Sequence, residues 1–525
     1  MNIKQQLDNR PAFQKHLFER GFLITDNDYS DYLKKYPFYG NWFFTKIGSF
    51  YFYIHEELSL YMKEYNGLVL FLIGHAFNPF DMESDENDIL EKLISLNGET
   101  FWKYEADLTG VYVMGKVMPS GEIIHWSDCA GMRISYYGFA EAHYYITSHV
   151  NIIASLSKLN EDQYIKELKK SRYFHFFGNV LPADYSVYIE LKRTVPNHTY
   201  SNFGKIKRFY PIEKITECDS EEDYQHVLSE SAAILKNTLE ICARKWPEKK
   251  KYISVTGGKD SGETLASANG NYDSFRYFSY ISKPEEKVDA DAAACICRNL
   301  GLEHKVISIP DIIESSDDYS LLNEIIYVNG GSIGYINPNE VRKRLALIQN
   351  GSIELEVKSW VNEITRAYWY KKYNKFKFPK KPSGKYLATL YKVFLENRLL
   401  FSRTSKVFSH YIAQFINDDD ISIVGDWTTL WSWEFGFSAG EGQSLICEHL
   451  LSYEITIPYN NRHLISLMLR PKVSDRINDR LQNDIIALNN PKQAALNISV
   501  TNVAHTKKRA ALERLYLLIN SHSPF

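Results

Sequence analysis

Apolar and polar positions follow two different rhythms in the two halves of this 525-residue chain. Up to about residue 210, short aromatic and β-branched runs are separated by turn signals such as Pro119-Ser120-Gly121. Examples are Trp42-Phe43-Phe44-Thr45, Ser49-Phe50-Tyr51-Phe52-Tyr53-Ile54 and Gly110-Val111-Tyr112-Val113-Met114. This pattern predicts antiparallel strands. Helical spacing intervenes at Asp88 to Leu96 and Glu161 to Lys169, so residues 1–210 are expected to form a layered α+β domain.

A long helix is predicted from Ser220 to Trp246, where Tyr224, Val227, Leu228, Ala232, Leu235 and Leu239 recur on one face. Strand and helix then alternate: Tyr252 to Val255, Phe275 to Ile281, helix Val288 to Leu300 stopped by Gly301, Lys305 to Ile309, a further helical region, and Ile353 to Val357. Such alternation predicts a doubly wound parallel sheet in residues 211–525, with ligands at the carboxyl ends of its strands. After about residue 362 the pattern is helical and rich in aromatics. Its basic stretch, Lys371 to Lys385, reads as a solvated loop over the mouth of a site.

Length and 44% hydrophobic content provide for two cores. A net charge of -3 gives no bulk drive toward nucleic acid or anionic membrane, so small-molecule partners are expected and nucleic acid is not. The N-terminus lacks the apolar core of a secretory signal, and the longest apolar run, Leu68 to Ile73, cannot span a bilayer. A cytoplasmic protein is the expectation, with a homodimer left open. Cysteines at 129, 218, 242, 295, 297 and 447 fit no metal framework and read as reduced, mostly buried thiols.

The most informative stretch is Tyr252-Ile253-Ser254-Val255-Thr256-Gly257-Gly258-Lys259-Asp260-Ser261-Gly262. It reads as a buried strand ending in a loop that cradles phosphate. Gly257 and Gly258 let backbone approach an anion, Thr256 and Ser261 add hydroxyl donors, and a helix opening at about Gly262 turns its N-terminus to the same pocket. The spacing is not that of a Walker loop. Asp260 is the natural carboxylate for Mg²⁺, its alternative being a helix cap. Asp289 and Asp291, opening the next helix, either face the phosphates or merely complement a helix dipole.

The string Thr256-Gly257-Gly258-Lys259-Asp260-Ser261 resembles the Ser-Gly-Gly-x-Asp-Ser signature of PP-loop (pyrophosphatase-loop) enzymes, of adenine nucleotide alpha hydrolase-like fold, with Thr keeping the hydroxyl. Over nearly its whole length the chain resembles class B asparagine synthetases and their relatives, including β-lactam synthetase. Ala106 to Val113, Ser127 to Arg133 and Tyr145 to His149 look like landmarks of that family's N-terminal nucleophile (Ntn) hydrolase fold, and Leu191 to His198 with Arg208 to Pro211 like its joining segment. Lys358 to Arg366 takes the place of the family's Gly-rich acidic loop, without the glycines; Glu363 would be the retained acid facing Mg²⁺ and pyrophosphate, and Arg366 a phosphate neutraliser. Ile457 to Arg462 resembles the segment beside the acceptor pocket.

Two departures matter. The family's glutaminase cysteine follows the initiator Met, but here that position is Asn2, and about thirty residues precede the first expected strand. Cys129 has no free amine beside it, so the front half is expected to be an inactive scaffold. The family's intermediate-stabilising lysine has no clear match, with Lys472, Arg476 and Arg480 candidates by position only. Trp427, Trp431, Trp433 and Glu434 read as core more than pocket. The resemblance implies an AMP-forming ligase that uses ATP and Mg²⁺ to adenylate a carboxylate and pass it to an amine. Two alternatives stand beside it: a non-catalytic nucleotide-binding scaffold, and a tRNA base-modifying PP-loop enzyme, whose expected basic face and catalytic cysteines are not seen.

Overall fold

The computed structural model describes residues 3–35, 39–172, 174, 180–310, 316–333, 337–373, 378–391, 398–498, 500 and 507–522. The fold is mixed α/β. Two six-stranded antiparallel sheets occupy the front half. The first runs Leu191–Arg193, Tyr136–Ala140, His143–Thr147, Phe22–Thr25, Phe50–His55, Trp42–Ile47 in spatial order, the second Ile206–Arg208, His198–Ser201, Ile123–Ser127, Thr109–Val117, Leu68–Phe77, Leu60–Tyr65. Period-two alternation explains how they stack. Phe22 and Ile24 point with Phe52, Phe71, Ile73 and Val113 into one core between the sheets, whereas Leu23, Leu70 and Leu72 join the larger core on the outer faces. Phe52 and Phe71 meet edge to face at 5.0 Å, and burying each ring contributes about 2–3 kcal/mol. Helices Glu86–Ser95 and Gly98–Ala106 cover one outer face, supplying Leu90, Leu93 and Phe101.

The strand Phe22–Thr25 corrects one expectation. It lies in the middle of the first sheet, between His143–Thr147 and Phe50–His55, so about twenty residues precede the first strand, not thirty. Four residues between Gly21 and an Asp-Asn-Asp turn are too short a run to stand out by periodicity.

In the back half the long helix α1, Glu221–Arg244, starts where Ser220 accepts a hydrogen bond from the Asp223 amide, with three acids complementing the dipole in its first turn. Five parallel strands follow: β1 (Lys251–Ser254), β2 (Arg276–Ile281), β3 (His304–Ser308), β4 (Leu355–Val357) and β5 (Glu454–Thr456), in the order β3-β2-β1-β4-β5. Helix α2, Lys259–Ser267, leaves β1 and helix α3, Lys287–Leu300, leaves β2, stopped by Gly301 in the left-handed region at φ 78°. The strand order reverses between β1 and β4, which is where an open parallel sheet leaves a crevice at its carboxyl edge. Strand β5 was not foreseen; Tyr453-Glu454-Ile455-Thr456-Ile457 carries the β-branched signal but pairs for only three residues. Beyond β4 the chain is mostly helical; of the basic stretch Lys371 to Lys385, residues 374–377 lie outside the described residues.

Candidate nucleotide site

A cavity of about 340 Å³ opens at that reversal point. The turn after β1 gives it Thr256, Gly258, Asp260 and Ser261; β2 and α3 give Ser279, Tyr280 and Asp289; the segment after β4 gives Lys358, Ser359, Trp360 and Glu363. Within the turn the two hydroxyls hold each other, Thr256 Oγ1 to Ser261 Oγ at 2.8 Å. The Gly258 amide donates to Thr256 Oγ1 at 3.1 Å, and the Thr256 amide to Ser261 Oγ at 3.1 Å. Two donors and two acceptors are thereby satisfied locally, leaving the start of α2 pointed at the cavity.

Gly257 departs from expectation. It is not among the cavity-lining residues. Its carbonyl accepts the Val500 amide at 2.9 Å, and a Cβ placed on it would meet Val500 at 2.4 Å. Its small size serves the approach of the later chain segment. Neither glycine of the pair has a positive φ.

Asp260 Oδ2 takes Arg366 Nη1 at 2.5 Å, and Arg366 grips Asp479 through Nε at 2.8 Å and Nη2 at 3.2 Å. Arg366 is not in the cavity lining; it reaches Asp260 from outside, and its ion pairs go to Asp260 and Asp479, not to Glu363. Asp260 Oδ1 and Glu363 Oε2 are buried without a hydrogen-bond partner. Burial and the charge of Asp260 push Glu363 up to about 8. Glu263, which sequence reasoning passed over, is fully buried on α2 and pushed up to about 8 by burial and then by Asp260, while Asn362 donates to it at 2.7 Å. Asp260 and Glu363 thus line the cavity with unpartnered oxygens, while Glu263 feels the charge of Asp260 from outside the lining, an arrangement that invites a hard cation.

Lys358 is the cation in the cavity lining that the sequence reading named without a role. It leaves β4, pairs with Glu356 at 3.3 Å and lies 4.5 Å above the Trp360 ring. Its position directly after a buried strand was the available signal. The other predicted residues separate. Asp289 lines the cavity but Asp291 is exposed on the outside of α3. Lys472 is exposed, and Arg480 pairs with Glu221 and stacks 3.8 Å over Tyr224. Arg476 is buried and donates to the Thr365 carbonyl at 2.7 Å, bracing the turn that carries Glu363. Trp427, Trp431 and Trp433 are core, and fully buried Glu434 pairs with Arg208 and accepts from Asn197.

The missing glycines of 358–366 left a trace in the backbone. Asn362–Arg366 forms a 3-10 turn flanked by Val361 at φ 82° and Ala367 at φ 50°, left-handed conformations that cost a non-glycine residue about 1–2 kcal/mol each. Expected acceptor-pocket residues in Ile457 to Arg462 fall elsewhere. Tyr459 touches Thr264 of α2 at 3.3 Å, but Asn460, Asn461 and Arg462 are buried against the front half. Asn460 bonds the Ala130 amide and Gly110 carbonyl, and Arg462 meets Glu105 at 2.8 and 3.1 Å. Cys129 lies fully buried at this junction, where burial pushes its thiol far up, so it has no thiolate character. The other five cysteines are likewise free thiols. Asn2 lies outside the described residues. No described helix is long and apolar enough to cross a membrane.

No family model and no curated protein matches this chain. Among solved structures, a glutamine phosphoribosylpyrophosphate amidotransferase from B. subtilis complexed with ADP and GMP aligns at 13% identity, over 57% of this chain and 62% of that one, with a TM-score of 0.23. The allosteric regulatory enzyme of purine biosynthesis aligns at 13% identity, over 62% and 90%, with a TM-score of 0.24. This chain therefore spans less than two thirds of the first structure, and at such scores neither likeness bears on what it does.

Proposed function

We propose that this chain is an ATP-dependent, AMP-forming ligase that adenylates a small-molecule carboxylate and transfers the acyl group to an amine, without a glutaminase of its own. The observation that carries the reading is the convergence, at the reversal point of a parallel sheet, of the Thr256–Ser261 turn, two carboxylates with unpartnered oxygens and Lys358.

In this reading the triphosphate lies against Thr256, Gly258 and Ser261 at the start of α2, where amides and hydroxyls meet its oxygens. A carboxylate oxygen of the substrate attacks the α-phosphorus, the bond to the bridging oxygen breaks, and pyrophosphate leaves. The amine nitrogen then attacks the acyl carbon, loses a proton, and AMP departs with the electrons of the former carbon–oxygen bond. Mg²⁺ fits the donor set: Asp260 Oδ1 and Glu363 Oε2 would hold it, and its chemistry is to neutralise phosphate charge. Lys358 takes the part of the missing downstream lysine, its ammonium facing the negative charge that develops near Trp360. Arg366 holds Asp260 in place and acts as a positioning residue.

The test is ATP–pyrophosphate exchange with Mg²⁺ across a panel of amino acids, uronic acids and other carboxylates. One class of acid should support exchange, and Asp260→Ala or Lys358→Ala should cut it by about 100-fold or more. Exchange absent for every acid while nucleotide still binds would leave the non-catalytic scaffold as the reading.

A further inference from the structure

Behind the cleft wall the helical part encloses a second polar cluster that nucleotide chemistry does not use. Glu340 stands in the first turn of helix Pro338–Asn350, and Glu448 with His449 stands where helix Gln443–Cys447 breaks. Glu448, at φ -125° and ψ -60°, is the break itself. One donor atom from each of the three lies within 4.8 Å of the other two. Glu448 and His449 are 91% and 94% buried on the scale of 9% and 6% exposure. Nδ1 of His449 is buried with no hydrogen-bond partner, an orphan atom that a neutral imidazole in a dry interior does not normally keep.

Charges around the cluster do not cancel. Lys343 and Arg344 lie 2.5 and 3.8 Å from the two oxygens of Glu340, and Lys358 lies 3.3 Å from Glu356. Glu441 faces Lys358 and Glu340, and Glu448 faces Glu340 and Arg344. Four carboxylates, Glu340, Glu356, Glu441 and Glu448, thus meet three cations.

We propose that Glu340, Glu448 and His449 form a binding site for one divalent transition-metal ion of the Zn²⁺, Mn²⁺ or Fe²⁺ class. Two carboxylate oxygens and one imidazole are the donors such ions take, whereas Mg²⁺ and Ca²⁺ favour all-oxygen shells. With metal–ligand distances of about 2.0–2.2 Å, the donors must close by roughly 1 Å, a side-chain adjustment. Binding moves the Lys343 ammonium off Glu340. The site is separate from the one at Asp260 and Glu363, yet it touches the same cleft: the His449 ring meets Trp360 edge to face at 4.8 Å, and Trp360 lines the cavity. An ion there would fix that wall.

The experiment uses the full-length protein, stripped with chelator and titrated with Co²⁺ and with Zn²⁺ in excess Mg²⁺, reading stoichiometry and the visible Co²⁺ absorption. One equivalent should bind, and Glu448→Gln and His449→Asn should each weaken it at least about tenfold. Lys343→Met removes the competing ammonium and should tighten binding. Circular dichroism melts of the metal-free variants report on folding; if either substitution at Glu448 or His449 prevents folding, the Lys343→Met gain decides. Absence of a bound equivalent in both wild type and Lys343→Met, or unchanged binding in folded His449→Asn, would overturn the site.

Discussion

Glu363 shares the cavity with Asp260, and burial followed by the charge of Asp260 makes its ionisation harder, so a pH dependence follows. With Glu363 pushed up to about 8 and an ordinary carboxyl near 4.5, the native state holds a proton that the unfolded chain has lost. Stability is therefore full below the unfolded value and declines as pH rises through about 8. If the site takes magnesium nucleotide as proposed, the ligand reverses the preference because it needs the ionised form. Binding should tighten as pH rises through about 8 and should release protons at neutral pH, as calorimetry in buffers of different ionisation enthalpy would measure. Glu363→Gln should abolish most of that release, and equal release by the variant would remove Glu363 from the ion's shell. A second prediction concerns Gly257. Alanine there must displace Val500, so the Val500 amide should lose its bond to the Gly257 carbonyl and exchange hydrogen faster, while the cavity lining stays intact.

At the scale of elements, the turn between Val361 and Ala367 carries glycine-type conformations on other residues. Ala367→Gly relieves the left-handed strain and should raise stability by up to about 1 kcal/mol, after the entropic cost of glycine; a loss in denaturant unfolding would contradict it. The same region shows what sequence could and could not reveal. Strand β1, its Thr256–Ser261 turn and helices α1 and α3 were legible because each has a local cause: an apolar run, a cap at Ser220, a left-handed Gly301. The pairing of Arg366 with Asp260 and Asp479 was not, since those residues stand 106 and 113 positions away and meet only through tertiary packing. Glu263 was hidden for a related reason: a single acid in a helix reads as solvated until the fold buries it.

Across the whole molecule, the two halves meet through fully buried polar groups. Arg462 donates to Glu105 and to the carbonyls of Ser127 and Asp128, and its guanidinium packs 4.9 Å from the Phe209 ring. Removing one partner strands a charge in a dry interior, so Arg462→Met should cost about 3–5 kcal/mol in thermal or denaturant unfolding. A cost under 1 kcal/mol would mean that water reaches the pair. Tyr459, three residues earlier, rests on α2, so one short segment ties that helix to the front sheets.

That tie constrains what evolution or an engineer can prune. A front half whose residues do not line the nucleotide-site candidate could be taken for a part free to be trimmed away. Here its backbone carbonyls and Glu105 are the solvent that Asn460, Asn461 and Arg462 see, so the back half on its own would face water with an unfinished interior.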